Sequence, residues 1–466
     1  MSRTYQAVSL GFAAILAACG GDRTAENVAE PKASAPPPTA SAPPASDPPP
    51  SEEEARAVIA QALAHVAEVR KLAPKTAVKG VVISREALLE RIKNDLLVDL
   101  EPDLIEGTRE LLFALNLTRA DFDYFGNLLL LYGTQLAGFY DPQVKEMVLL
   151  DDLGVEAQEA TLWHELVHAL QDQHYDLQKL TKWQPERGDA VSAVQSFAEG
   201  DALSAMMDVM LLPRGQRALD VPESLVIQGM AAIEALPEVR DVPSILKRSI
   251  VAPYTDGMTF THALRREGDW ARVDAAWLKP PETTEQLLHP EKYRTHEAAE
   301  KVPLPPAPPG GPATTRYRDV LGEQTIRLVL EEWVPLDTAR KAAAGWAGDR
   351  VAVFADGDRR AVAIGLRYDD AASAQRAFEA IVRGAVSEPV ENRTGVRADT
   401  ADAGTKAARA GRFCSERELR GPFAVVRSGR DLGVTLGPYT RDKAATHSAA
   451  SCAAVLPWTT SVAKNR

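Results

Sequence analysis

The residues best suited to chemistry are His164-Glu165-Leu166-Val167-His168, because two histidines four apart on a helix project side by side, one turn apart, and can share one metal ion. At about 100° per residue with Leu162 at zero, His164 falls near 200°, His168 near 240° and Glu165 near 300°. Leu162, Trp163, Leu166, Val167, Ala169 and Leu170 occupy the opposite sector, so one face packs and the other does chemistry. Neutral imidazoles suit zinc, which stays positive enough to acidify water, and Glu165 stands beside the ion as a general base that can take a water's proton and pass it to a leaving amine.

Catalytic zinc sites use three protein ligands, and two residues compete for the third place. His174 lies six residues after His168, but the glycine that would let the chain turn back after the second histidine is absent, Gln171 standing there. On an uninterrupted helix His174 falls on the apolar face about 9 Å along the axis, which suits a core or supporting histidine. Glu199, in Phe197-Ala198-Glu199-Gly200-Asp201-Ala202, is a carboxylate among small and apolar residues, costly to bury without a partner such as zinc. Gly200 is expected to let this second helix approach the first closely. Tyr254 and His289, each in a polar-aromatic cluster, are candidates for stabilising an oxyanion.

The His-Glu-x-x-His run followed some thirty residues later by Glu-Gly-x-Ala resembles the peptidase-MA-like branch of the gluzincins, over roughly residues 137 to 210. The Leu-Val-His-Ala-Leu-Gln-Asp-Gln-His run also resembles a group of uncharacterised bacterial and archaeal metallopeptidases. The resemblance implies a zincin-like α+β fold, Zn2+ held by His164, His168 and Glu199, catalysis by Glu165, and a protein or peptide substrate. Thermolysin-like members carry a supporting Asp four residues after the ligand Glu; here that position is Leu203, and Asp201 is the substitute. A rival reading keeps the zincin fold as a non-catalytic envelope scaffold, against which the intact Glu165 argues.

The elements that must position these groups divide the chain. Arg3 before the apolar run from Val8 to Ala18 reads as a secretory signal (1–18), and Leu16-Ala17-Ala18-Cys19 resembles a bacterial lipobox with Cys19 as the lipidated residue. Residues 19–51, rich in Pro, Ala and Ser, form an extended tether. The resulting expectation is an exported lipoprotein on the periplasmic face of the envelope, at the outer membrane since Gly20 rather than Asp follows Cys19. Residues 52–301 form a largely helical metallopeptidase domain, whose segment 52–131 reads as helix throughout and whose apolar stretches around Pro142 read as a hairpin or bent edge strand. The Pro/Gly run 302–313 reads as a linker, and 314–466 as a smaller accessory α+β domain. In an oxidising compartment Cys414 and Cys452 would pair as a disulfide. A formal charge of -12, with no Lys/Arg run longer than two, excludes a nucleic-acid surface.

Overall fold

The computed structural model describes residues 51–99, 102–135, 138–153, 155–231, 236–387, 411–441 and 446–465. The signal, Cys19 and nearly all of the tether lie outside them. The chain is mixed α/β, mostly helical before residue 300 and built on a sheet after it.

The first element, α1 (Glu52–Arg70), starts at a capping box in which Ser51 accepts from the Glu54 N–H and Glu54 accepts in return. A strand, β1 (Lys79–Ile83), interrupts the stretch that the sequence reads as helix throughout. It pairs in parallel with β3 (Glu146–Leu150), more than sixty residues away, a non-local pairing with no short-range signature. Helices α2 (Arg85–Asp99), α3 (Pro102–Ala114) and α4 (Tyr124–Gln135) separate them. The expected hairpin is formed by β2 (Gly138–Asp141) with β3, and the strand order β1-β3-β2 leaves β2 at an edge.

Next come α5 (Val155–Tyr175), the one-turn α6 (Leu177–Leu180) and α7 (Gly188–Leu211). Asp176, in the left-handed region at φ 58°, breaks α5 from α6 and caps the latter through Lys179 N–H. The helices α8 (Glu223–Ala231) and α9 (Ser244–Trp277) follow, then the short α10 (Thr284–Leu288) and α11 (Pro290–Thr295). Non-helical backbone at Gly268 and Asp269 kinks α9.

The C-terminal part consists of β4 (Thr315–Asp319), α12 (Gly322–Glu331), α13 (Leu336–Ala343), β5 (Trp346–Asp356), β6 (Arg359–Tyr368), α14 (Ala371–Ala385), β7 (Arg412–Ser415), β8 (Phe423–Ser428), β9 (Asp431–Arg441), β10 (Thr446–His447) and α15 (Cys452–Lys464). The strands form one antiparallel sheet, ordered β4-β5-β6-β9-β8-β7 with β10 on β9. Strand alternation divides its residues between two cores. Ala352, Phe354, Ala361 and Ala363 pack against Val455, Trp458 and Val462 of α15. Val351, Val353, Val362 and Ile364 face Phe378 and Ile381 of α14, in a core continuous with Leu111, Phe113 and Leu115 from α3 and the chain after it. Cys414 and Cys452 are joined, tying β7 to the start of α15.

That continuous core revises the expected linker. Arg420 donates to the carbonyls of Phe113 and Thr118, and Tyr439 donates its hydroxyl to Glu110, so α3 is docked on the sheet. The proline run is itself packed: Pro305, Pro308 and Pro312 are buried, Trp458 donates to Pro306 O at 2.7 Å and Asn465 donates to Leu304 O at 2.8 Å. An extended run lacking many N–H groups can lie on a sheet face at small cost, because few donors need partners there. No helix among the described residues is long and apolar enough to cross a membrane.

Candidate metal centre

The motif helix α5 turns its apolar face inward as the helical projection requires. Leu162, Leu166, Val167, Ala169 and Leu170 are buried in one cluster with Ile59 and Val66 of α1 and Phe197 and Ala202 of α7. Packing on both sides fixes the helix rotation and so the direction of its polar residues. His164 and Glu165 are fully buried, and His168 nearly so.

From the facing helix α7, Glu199 reaches both histidines. Its Oε2 lies 3.1 Å from His164 Nε2 and 3.4 Å from His168 Nε2, and the two Nε2 atoms are 3.1 Å apart. One ligand atom from each of the three residues falls within 4.8 Å of the others, a grouping able to hold a metal ion. A second such group, Glu285, Glu297 and Asp369, already surrounds Lys292 Nζ at 2.6 to 2.8 Å, so its charge is spent on an ammonium.

Whether the first group fits a metal depends on where the imidazole protons sit. His168 Nδ1 is 2.8 Å from Gln171 Oε1, while Gln171 Nε2 donates to Ala198 O and Asp201 Oδ2, both at 3.1 Å. The amide nitrogen is committed, so the amide oxygen faces the ring, Nδ1 carries the hydrogen, and Nε2 turns its lone pair towards His164 and Glu199. The His164 ring is held differently: its Nδ1 is buried with no hydrogen-bond partner among the described residues, and Tyr254 stacks on it at 5.8 Å between centroids. Two imidazole nitrogens and a carboxylate oxygen converging in a buried site are a donor set that suits zinc.

Among the three residues alone a proton on His168 balances the charge, and it is this proton that a metal ion would displace. Burial disfavours the His168 imidazolium, yet Glu199 and then Glu165 outweigh it and lift His168 to about 9. Burial lowers His164, and Glu199, despite its own burial, is held at about 2 by His168 and His164.

Glu165 is fixed from the strand side. The N–H of Tyr140 on β2 donates to Glu165 Oε2 at 2.9 Å, and the Tyr140 hydroxyl donates to Asp172 at 3.0 Å, so the strand is fastened to the helix at Glu165 and again two turns further on. Asp172 also pairs with Lys145 at the hairpin turn.

Asp201 stands one step back from the His/His/Glu group. It accepts from Gln171, from Trp277 Nε1 at 2.8 Å and from Arg70 Nε at 2.6 Å, and Arg70 also reaches Asp274 at 2.8 Å. Arg70 itself is fully buried under the Trp270 ring, at 4.5 Å from its centroid. A continuous polar path therefore runs from the last residue of α1 through Asp201 and Gln171 to His168.

The other sequence candidates divide. Tyr254 is buried and lines the cavity that also touches His168, Glu199 and Tyr140. His289 does not join them: its Nε2 pairs with Glu323 at 2.9 Å and it lines a different cavity, because α10 ends there and turns the ring towards α12. His174 also lies apart, in the last turn of α5, bonded to Ala73 O at 2.8 Å. Gly200 performs a different task from the one expected. A Cβ on it would lie 1.9 Å from the Gly257 carbonyl carbon, so the close approach is between α7 and α9, not between α7 and the motif helix. Sequence reasoning missed Gln171, Arg70 and Tyr140 as supports. Only Gln171, three residues after His168 on the same helix face, carried a local signal.

Among known families, residues 313–447 match the model of a domain of unknown function, DUF8575. The match covers β4 to β10, under a third of the chain, beginning after the helical part that carries the His/His/Glu group and stopping before α15. Neither a curated protein nor a solved structure matches the chain.

Proposed function

We propose that this protein is a zinc-dependent peptidase of the zincin-like, gluzincin class, hydrolysing peptide bonds in protein or peptide substrates. The observation that carries the reading is the convergence of His164, His168 and Glu199 on one point with a buried carboxylate, Glu165, next to them on the same helix. Three protein ligands rather than four are the number that catalytic zinc sites use, whereas structural sites close the fourth position. When bound, zinc would supply a Lewis acid that acidifies water and polarises a carbonyl.

The chain's own residues do the rest. Glu165 accepts the water's proton and returns it to the leaving amine, its carboxylate oriented by Tyr140 N–H. Gln171, backed by Asp201 and Arg70, keeps His168 in the ligand tautomer. Tyr254 is the better of the two candidates for steadying negative charge on the substrate, since it shares the cavity of Glu199. A non-catalytic scaffold would have no use for Glu165, a buried carboxylate that costs stability.

The same reading makes the protein an exported lipoprotein, anchored through Cys19 to the periplasmic face of the outer membrane. The Cys414–Cys452 disulfide supports an oxidising compartment.

Zinc analysis of two variants tests the ligand set. Glu199→Ala is expected to lose bound zinc and His174→Ala to retain it; zinc loss in His174→Ala alone would sink the gluzincin assignment.

A further inference from the structure

The Glu199 side of the metal group opens onto a cavity of about 400 Å³. Protein interiors leave few voids larger than a water molecule, so a cavity of this size against the His/His/Glu group points to a binding role. Its walls come from three places. Leu111 and Leu115 belong to α3 and the residue after it, Ile250 and Tyr254 to α9, and Tyr317, Leu321 and Leu328 to β4, α12 and the turn between them. The last three lie within the segment that matches DUF8575.

The wall is chiefly apolar, and its carboxylates have partners: Glu199 in the metal group, and Asp319, which accepts from the backbone N–H groups of Gly188 and Val320 at 2.8 Å. No charge is left over to recognise a charged substrate group. Tyr140 and Pro142, in and beside β2, line the same cavity.

We infer that the C-terminal domain is a specificity wall of the site, and that Tyr317, Leu321 and Leu328 select polypeptide segments with bulky apolar side chains next to the bond to be cut. This rests on the peptidase reading, which makes the ligand a polypeptide. A domain docked by the core that α3 shares with the sheet holds that wall in fixed register with Glu199. Of the wall residues, Leu328 sits on α12, whose neighbour Gln324 donates to Asp256 of α9 at 2.7 Å, which pins the helix against the catalytic half.

The test uses the full-length, zinc-loaded Glu165→Gln protein and two fluorescein-labelled decapeptides identical except for a central Phe-Leu or Ala-Ala. Fluorescence anisotropy should give at least tenfold tighter binding of the Phe-Leu peptide. Adding Leu328→Phe, which narrows the cavity, should cut that preference at least fivefold, and Leu328→Ala, which widens it and is less apt to disturb folding, should keep it. Equal affinity for both peptides, no measurable binding of either, or a preference indifferent to Leu328→Phe overturns the proposal. Cleavage of the same peptides by the unmutated enzyme judges the peptidase reading separately. Cleavage without apolar preference removes the specificity wall alone; selective binding by Glu165→Gln with no cleavage by the unmutated protein removes the peptidase alone.

Discussion

Gly200→Ala probes the joint that places Glu199, the third of the proposed ligands. A Cβ at position 200 would lie 1.9 Å from Gly257 C, 2.1 Å from Gly257 O and 2.4 Å from Met258 N, all backbone atoms of α9 that no rotamer change can clear. Ordinary contact begins at 3.4 Å, so α7 and α9 must separate by roughly 1.5 Å. Overpacking of this kind costs about 1–3 kcal/mol and more where backbone must move, against about 1 kcal/mol returned by the better helix propensity of alanine. A net loss of about 2 kcal/mol is expected, a fall in Tm of roughly 4–8 °C for a cooperative unit of 150–250 residues. Because Glu199 is the adjacent residue, the same displacement should weaken zinc binding by about 10- to 100-fold, as loss of supporting groups around a metal ligand does. Thermal unfolding by circular dichroism and competition for zinc with a fluorescent chelator measure the two effects. An unchanged or raised Tm with full zinc affinity would refute the packing argument.

Three further outcomes follow from the structure. Arg70→Met leaves Asp201 buried without its ion-pair partner and should destabilise by about 3–5 kcal/mol, read from denaturant midpoints; a loss under 1 kcal/mol would mean that Trp277 and Gln171 alone satisfy Asp201. Asp189, pushed up to about 7 by burial despite accepting from Thr284, holds a proton in the folded state that the unfolded chain releases above 3.8, so its contribution to stability falls as pH rises from about 4 to 7. Asp189→Asn should flatten that decline, gaining roughly 2–3 kcal/mol on the unmutated protein between pH 5 and 7.5; parallel pH profiles would contradict the assignment. Glu285, pushed up by burial to about 7, and Asp349, pushed up by burial to about 6, titrate in the same window in both proteins, so it is the difference between the two profiles that reports Asp189. Replacing Cys414 and Cys452 with serine opens a loop with a sequence separation of 38 and should cost about 4 kcal/mol on the chain-entropy model, detectable as a lowered denaturant midpoint that an unchanged midpoint would disprove.

What the sequence could express locally is what it expressed best. The helical periodicity of 162–170 sets the packing face of α5, and the cost of a carboxylate among small residues singles out Glu199. Interactions between distant segments left no such trace. Arg70 and Asp201 are 131 residues apart, and nothing in α1 distinguishes that arginine from an exposed one. Strand β1 is five residues, one exposed and four half-buried, whose partner lies across three helices. Gln171 was visible only as the missing glycine of another peptidase pattern, yet it is the residue that orients His168. The proline run reads as a linker by composition, but Trp458 and Asn465 from the far end of the chain hold it down. Gly200 announces a close approach without saying to which helix.

The central claim is that Glu165 is the base of a zinc peptidase, and Glu165→Gln tests it most directly. The unmutated protein and the variant, both full length, are assayed side by side for bound zinc by mass spectrometry and for cleavage of an unfolded protein. The account predicts about one zinc per chain in both, with cleavage by the unmutated protein reduced at least 100-fold in Glu165→Gln, since a positioned base contributes roughly 10² to 10⁴ in rate. Equal cleavage by the two proteins, or zinc in neither, would contradict it.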